Sequence, residues 1–511
     1  MWHLDPVASP AVRFPDRVAV AAGTESLTYR EVEDRVDRLG AVLQDLGLRP
    51  GDRVALLAEN EPEYVEIQTA CLRYGFALVP LNSRLTTPEV RFILHDCSPR
   101  ALLLGRRFRE RAPDFGDLVD PIGTFALGRG AGSLTYETAL AEARRPVEGP
   151  IDPGLVCTIL YTSGTTGPQK GAMVDRTGFS ARVLSNAVEL GIRATDVHLA
   201  VLPMFHIAAF LAYAHVANGA TVVMLPEFTP ETVLHEIEAR SVTTATLVPT
   251  IISMLTEQPG FDEHNLTSLR LVVYGGSPIA PDPLRRALQA FDCGFLQQFG
   301  LTETGGVTIM RPEDHDPDDP EALTTAGQLA VGAQVVILNE SDRPVGAGEV
   351  GEICCRSQAL FKGYWNREEE TRASLRGGWF HTGDLGFLDE RGMLHVTGRR
   401  NDTIVTGGEN VHPREVETVL LEHPRVSDVA VVGTSDPRWG ELVTAVVVGD
   451  MGDMADEDLA TWARARLAGY KVPRRWVHVE DLPRNATGKV LRHVLRQELS
   501  DGPRLEATPV P

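Results

Sequence analysis

Tyr161-Thr162-Ser163-Gly164-Thr165-Thr166-Gly167-Pro168-Gln169-Lys170-Gly171 follows the apolar run Leu155 to Leu160. The run reads as a buried strand. The stretch after it crowds hydroxyl side chains and glycines ahead of a lysine. Glycine lets the backbone curl so that successive N–H groups converge on an anion. Ser and Thr hydroxyls add donors, and Lys170 adds a positive charge. Strand plus loop therefore predicts a phosphate cradle at the edge of an α/β sheet. The spacing differs from the G-x-x-x-x-G-K-[ST] loop of other nucleotide-binding proteins. Taken alone, such a composition also fits a plain surface connection.

At 511 residues the chain exceeds one ordinary core, so two or more domains are expected. Hydrophobic content of 43% with 23% charged residues describes a globular chain. A net charge of −21 disfavours a nucleic-acid partner, which would need a basic face. It leaves a nucleotide substrate open, because a local pocket can be positive on an acidic protein. Cys71, Cys97, Cys157, Cys293, Cys354 and Cys355 form no C-x-x-C pair, which predicts reduced core thiols in a cytoplasmic protein. The stretch Met1–Pro6 has no basic region or apolar core, so no secretory signal is expected. No apolar run of about 18 residues occurs, so no membrane span is expected either.

Upstream of the cradle, Thr28 and Glu31 form a capping-box pattern, with Val32, Val36, Leu39, Leu43 and Leu46 at helical spacing. Strand candidates at 54–57, 77–80 and 101–104 alternate with helix candidates at 62–74 and 88–95. That alternation predicts a parallel sheet. Downstream, strands are expected at 217–225, 242–249, 271–274 and 349–355, and a helix from Thr250.

Several later segments carry chemistry. Leu271–Tyr274 runs into Gly275-Gly276-Ser277, the kind of glycine turn that lets backbone approach a ligand at a strand's carboxyl end. Gln297-Gln298-Phe299-Gly300-Leu301-Thr302-Glu303-Thr304 gathers a flat ring, a glycine, a hydroxyl and a carboxylate. Phe299 can stack on a base, Thr302 can donate to a phosphate, and Glu303 can hold a hard cation. In isolation the same residues fit a helix start.

Together these segments resemble the adenylate-forming superfamily of acyl-CoA synthetases, adenylation domains and luciferases, most of all its acyl-CoA synthetases. The resemblance covers roughly residues 10 to 495, with the motifs in family order. Gln169 replaces the family's proline, and Asp175-Arg176-Thr177-Gly178 stands where Thr-His-Arg-Asn is common. Phe299 replaces its usual tyrosine.

That resemblance implies a fold, a reaction and a set of site residues. The fold is a large N-terminal α/β domain of several subdomains, 1–400, with a small mobile C-terminal α/β lid, 401–511. The reaction joins a carboxylic acid and ATP to acyl-AMP and pyrophosphate, after which the CoA thiol takes the acyl group and releases AMP. ATP, Mg²⁺ and CoA are the cofactor and co-substrates. The implied nucleotide site comprises Thr162, Ser163, Gly164, Thr165, Thr166, Gly167 and Lys170, then Gly275, Gly276 and Ser277, then Gln298, Phe299, Gly300 and Thr302. Asp384 of Thr382-Gly383-Asp384 faces the ribose, and Arg399 the ribose and phosphate. Glu303 is the implied metal ligand. The catalytic set is Lys489, Glu303, Thr302 and His206. Acid-pocket candidates are His206, Ile207, Ile251, Ser277 and Gly305, with Gln298. By the same resemblance Gly408 and Trp439 line the CoA tunnel, and Asn401 is the hinge, with Asp402 as its neighbouring alternative.

Malonate-type relatives carry an arginine where this chain has Gln298, which favours a medium-chain or aromatic monocarboxylate. Acyl transfer to a carrier protein and adenylation of an unusual oxyanion such as nitrite for transfer to an amine stay open. The protein is expected to be a monomer or homodimer. Residues beyond about Leu499 are expected to form a disordered tail.

Overall fold

The computed structural model describes residues 4–119, 124–127, 135–147, 149–162, 169–277, 279–319, 321–406, 409–436, 439–452, 454–484, 489–500 and 507–509, with backbone alone at 124–126, 401, 410 and 507–509. Among these residues the strands form four sheets, three before residue 400 and one after it. The architecture is a large N-terminal α/β domain followed by a smaller C-terminal α/β domain.

The first helix with a strong sequence signature forms as its capping box requires. Thr28 and Glu31 cap Tyr29–Asp45, and Val32, Val36, Leu39 and Leu43 are buried on one face. That face packs on Glu63–Tyr74, which is closed by Gly75 at φ 81°. Gly40 makes the approach possible, because a Cβ there would lie 2.1 Å from the Tyr74 ring.

Strands Arg53–Leu57, Ala77–Leu81, Ala101–Leu104 and Val156–Thr162 run parallel in one sheet, as the alternating pattern predicts. Val156–Thr162 then turns back antiparallel into Lys170–Asp175, with Thr162 opposite Lys170. In the second sheet Val197–Ala200, Thr244–Leu247, Leu271–Gly275 and Gly294–Leu301 are successive parallel neighbours. The middle residues of these strands are mostly apolar and buried on both faces, as sheets sandwiched between helices require. The third sheet includes Ala333–Leu338, Gly351–Ser357, Trp379–Leu388 and Leu394–Arg399. The C-terminal sheet centres on the hairpin of Asp428–Asp436 with Gly440–Val448, and Trp476 is its largest fully buried side chain.

Two sequence expectations shift. The strand expected from Ala217 begins only at Thr221, because the helix Ala209–Ala217 runs to that point and the Asn218-Gly219 turn, with Gly219 at φ 82°, ends it. The helix start that Gln297–Thr304 would fit in isolation does not form, in line with the reading of the segment by resemblance. Gly294–Leu301 and Gly305–Met310 form an antiparallel hairpin whose tip is 302–304, and Gly300 allows the two strands to close on each other. Of the expected disordered tail, Ala507–Pro509 instead forms a short strand antiparallel to Arg475–His478, while 501–506 and 510–511 lie outside the described residues.

All six cysteines are free thiols, as expected, and the five in strand and helix interiors are buried. Burial pushes the Cys157 and Cys354 thiols up to about 12, so both stay protonated near neutral pH. No described helix is long and apolar enough to cross a membrane.

Candidate functional site

Ligands in doubly wound sheets bind beyond the carboxyl ends of parallel strands. Four adjacent strands of the second sheet send their carboxyl ends to one edge. Val197–Ala200 leads to His206 and Ile207, and Thr244–Leu247 to the helix Pro249–Thr256 with Ile251. Leu271–Gly275 leads to Gly276 and Ser277, and Gly294–Leu301 to Thr302 and Glu303. Gly275 pairs with Gln298 in register, and a Cβ at 275 would sit 2.3 Å from the Gln298 carbonyl oxygen. Gly276 adopts φ 81°, the left-handed turn its sequence predicts.

The segment before His206 is held by a residue with no motif around it to mark it in the sequence. Asn60 Nδ2 donates to Ala200 O and Leu202 O, both at 3.1 Å, and Met204 N donates to Asn60 Oδ1 at 2.9 Å. One side-chain amide thus ties the two large sheets together beside the pocket. His206 Nε2 is buried and makes no hydrogen bond among the described residues. Burial, aided by the Arg84 charge, pulls its pKa down to about 4, so the ring is neutral near pH 7.

Glu303 lies at the hairpin tip, 8% exposed. Tyr364 Oη donates to its Oε1 at 2.8 Å, and Lys170 Nζ stands 5.4 Å from the Tyr364 ring centroid. Burial and the Glu303 charge both push the Tyr364 phenol up, which keeps it a donor. Glu303 Oε2 accepts nothing among the described residues. A buried carboxylate with one oxygen fixed and, among the described residues, no donor on the other suits a hard cation such as Mg²⁺. Tyr364 is absent from the residues the sequence singled out; the signal available was the ring cluster Phe361, Tyr364 and Trp365 around Gly363.

Asp384 and Arg399 pair in register on adjacent strands, with Arg399 Nε 2.7 Å from Asp384 Oδ1. Burial raises the Asp384 pKa, while Arg399 and Lys489 oppose that rise. Lys489 arrives from the C-terminal domain. Burial and the Arg399 charge push its pKa down to about 8, against the pull of Asp384 and Asp402. The lysine, the aspartate and the arginine therefore share one electrostatic site spanning both domains. Arg414 Nη1 reinforces the junction by donating to Val396 O at 2.8 Å.

The remaining candidates are more dispersed. Phe299 is half-buried and packs against two apolar clusters, one containing Phe361 and Phe380 and the other Ile337 and Ile353. Gln298 Nε2 donates to Asn186 Oδ1 at 2.9 Å, so its amide is tied to the helix Arg176–Glu189. Gly305 is closed off along its Cβ direction by Arg182 Cγ at 3.2 Å and Ala359 Cβ at 3.6 Å, which leaves no acyl space on that face. Thr162 Oγ1 donates to Lys170 O at 3.4 Å across the base of the cradle. Trp439 lies in the hairpin turn before Gly440, with Arg474 Cζ 4.0 Å from its ring centroid. Ser163, Gly164, Thr165, Thr166, Gly167 and Gly408 lie outside the described residues, as does the Asn401 side chain.

The cluster Glu352, Cys354 and His381 brings three possible ligand atoms together. It is already satisfied without a metal: His381 Nδ1 is 2.9 Å from Glu352 Oε2 and 3.3 Å from Cys354 Sγ. Arg376 and Arg400 also lie against that carboxylate, and their charges oppose a cation.

Residues 7–365 match the family model for AMP-binding enzymes, and residues 415–489 match the AMP-binding enzyme C-terminal domain. The chain belongs to the AMP-binding enzyme family. It is 37% identical over 487 residues to a feruloyl-CoA synthase of an Amycolatopsis species, covering 94% of this chain and 96% of that one. It is 36% identical to the fatty acid–[acyl-carrier-protein] ligase ScoC of Streptomyces coeruleorubidus, covering 94% and 93%. Among solved structures, the amide bond synthetase McbA of Marinactinospora thermotolerans superimposes with a TM-score of 0.89 at 30% identity, covering 97% and 99%. As a member of this family, the chain is an ATP-dependent, AMP-forming ligase.

Proposed function

We propose that the edge formed by the four parallel strands binds ATP and a monocarboxylic acid, and that residues 401–511 act as a lid carrying Lys489 for adenylation and Trp439 for thioester formation. The observation that carries this reading is Lys489, from one domain, in the field of Asp384 and Arg399 from the other.

In this reading the acid's carboxylate lies near His206, whose orphaned Nε2 is available to a substrate oxygen. Asp384 accepts from the ribose hydroxyls, while Arg399 orients Asp384. Thr302 donates to the α-phosphate. When bound at Glu303, Mg²⁺ neutralises phosphate charge. Lys489 holds a cation where the α-phosphate gathers charge during in-line attack by the carboxylate oxygen. Attack forms the acyl–phosphate bond and expels pyrophosphate. The lid then turns about Asn401, and the CoA thiol displaces AMP from the acyl carbon. Ile207 and Ile251, both half-buried and apolar, favour a medium-chain or aromatic acid.

The test is ATP–pyrophosphate exchange over aliphatic, aromatic, dicarboxylic and amino acids, followed by product analysis with CoA. Exchange confined to dicarboxylates or amino acids would overturn the acid class. A second reading, in which the acyl group passes to a carrier protein or an amine, is favoured by the likeness to ScoC and McbA. Product formed with a phosphopantetheinyl carrier or an amine, and none with CoA, would select it.

A further inference from the structure

Arg182 is a buried charged residue on the inward face of the helix Arg176–Glu189, beside Phe179 and Val183, and it is 2% exposed. Each of its three guanidinium nitrogens donates to a backbone carbonyl. Nε donates to Ala359 O at 2.8 Å, Nη1 to Thr302 O at 3.0 Å and Nη2 to Glu303 O at 3.2 Å. Its Cζ stands 5.1 Å from the Phe210 ring centroid. Three separated carbonyls need a planar fork, which arginine has and lysine lacks.

The carbonyls belong to the parts that hold Glu303. Thr302 and Glu303 form the hairpin tip, where backbone groups leave the strand ladder and need other partners. Ala359 opens the segment leading to Phe361, whose N–H also donates to Glu303 O, at 2.7 Å. The same segment continues to Tyr364, which holds Glu303 Oε1. Gly305, at φ 71°, lets the chain turn back against the Arg182 side chain. One buried guanidinium therefore braces both the backbone of Glu303 and the segment bearing its hydrogen-bond donor.

We propose that Arg182 is a positioning residue for the metal-binding carboxylate: by clamping the carbonyls of Thr302, Glu303 and Ala359, it fixes the direction in which Glu303 Oε2 is offered to the cation. This rests on the reading of Glu303 as the metal ligand. A merely structural arginine would alter stability and leave metal affinity alone.

The experiment titrates Mn²⁺ into the enzyme–ATP complex without acid, with enzyme in excess, and follows free Mn²⁺ by electron paramagnetic resonance. Wild type, Arg182→Met, Arg182→Lys and Glu303→Gln are compared, with circular dichroism as the folding control. Losing a group that supports a metal ligand typically costs about 10- to 100-fold in affinity, so Arg182→Met is expected to weaken Mn²⁺ by that factor. Arg182→Lys, which keeps the charge without the fork, is expected to show an intermediate loss. ATP affinity measured without metal is expected to change little. Should Arg182→Met fail to fold, Arg182→Lys and Phe210→Leu, which removes the ring beneath the guanidinium, carry the test. Wild-type Mn²⁺ affinity in folded Arg182 variants, alongside a loss in Glu303→Gln, overturns the proposal and leaves the Glu303 reading standing. Normal Mn²⁺ binding by Glu303→Gln removes Glu303 from the metal site and overturns both.

Discussion

Arg399 Nε lies 2.7 Å from Asp384 Oδ1, and the two residues are register partners on neighbouring antiparallel strands. The sheet itself sets their separation, so the carboxylate is oriented before any nucleotide arrives. Hydrogen bonds to charged groups contribute about 1.5–3 kcal/mol each. Asp384→Ala is therefore expected to weaken ATP binding by about 10- to 100-fold while the acid's affinity changes little. Calorimetric titration with ATP checks this, and an unchanged dissociation constant would remove Asp384 from the ribose site.

Lys489 has its pKa pushed down to about 8, so the free enzyme loses the ammonium as pH rises through that value. The apparent second-order rate of adenylation in ATP, which reports the free enzyme, is expected to fall above about pH 8. Arginine stays charged, so Lys489→Arg is expected to remove that limb at a lower overall rate. Lys489→Ala is expected to lose about 10²–10³-fold in acyl-AMP formation while still converting supplied acyl-AMP and CoA to thioester. Equal slowing of both half-reactions would contradict an alternating lid.

Trp439 and Arg474 stack on the C-terminal hairpin, away from Lys489 in sequence. If that face meets the CoA thiol arm, Trp439→Ala keeps pyrophosphate exchange near wild type and loses thioester formation. A variant equally slow in exchange would place Trp439 in the adenylation step. Measuring the two half-reactions on one preparation decides it.

His198 and His215 stack in the core with ring centroids 4.0 Å apart. Leu211 O can only accept, so His215 Nδ1 carries its proton and Nε2 accepts from Thr244 Oγ1; that hydroxyl in turn accepts from His198 Nδ1. The chain of bonds holds both rings neutral. Burial pulls His215 down to about 4 and His198 well below its usual value. Both folded pKa values lie below the unfolded one, so acid protonates the unfolded chain first. Stability is expected to fall as pH drops from about 6.5 towards 4, by up to about 1.4 kcal/mol per pH unit for each ring. Urea unfolding across that range checks the slope, which His215→Asn should reduce by about one proton. Identical slopes would refute the link.

The motifs that single out the family were legible because each is local. The hydroxyl-rich loop after Val156–Thr162, Gly275-Gly276-Ser277, the 297–304 run, Asp384, Arg399 and Lys489 all advertise their chemistry within a few residues. Strand–helix alternation and the Thr28 capping box depend on periodicity and neighbours alone, so they too were readable. The region 217–225 was misjudged because an apolar helix and an apolar strand share a composition, and only the Asn218-Gly219 turn separates them.

What the residues of this chain determined by themselves is the list of candidate reacting groups and the order of its elements, because backbone conformation and motif chemistry act over short sequence distances. Only the tertiary structure decided which groups face each other. Tyr364 on Glu303, Asn60 across the two sheets and Arg182 beneath the hairpin tip are bonds between residues 61, 140 to 144 and 120 to 177 positions apart. No periodicity encodes such pairs. They arise when packed sheets bring distant loops to one edge, and buried polar groups there must find partners from whatever the fold supplies.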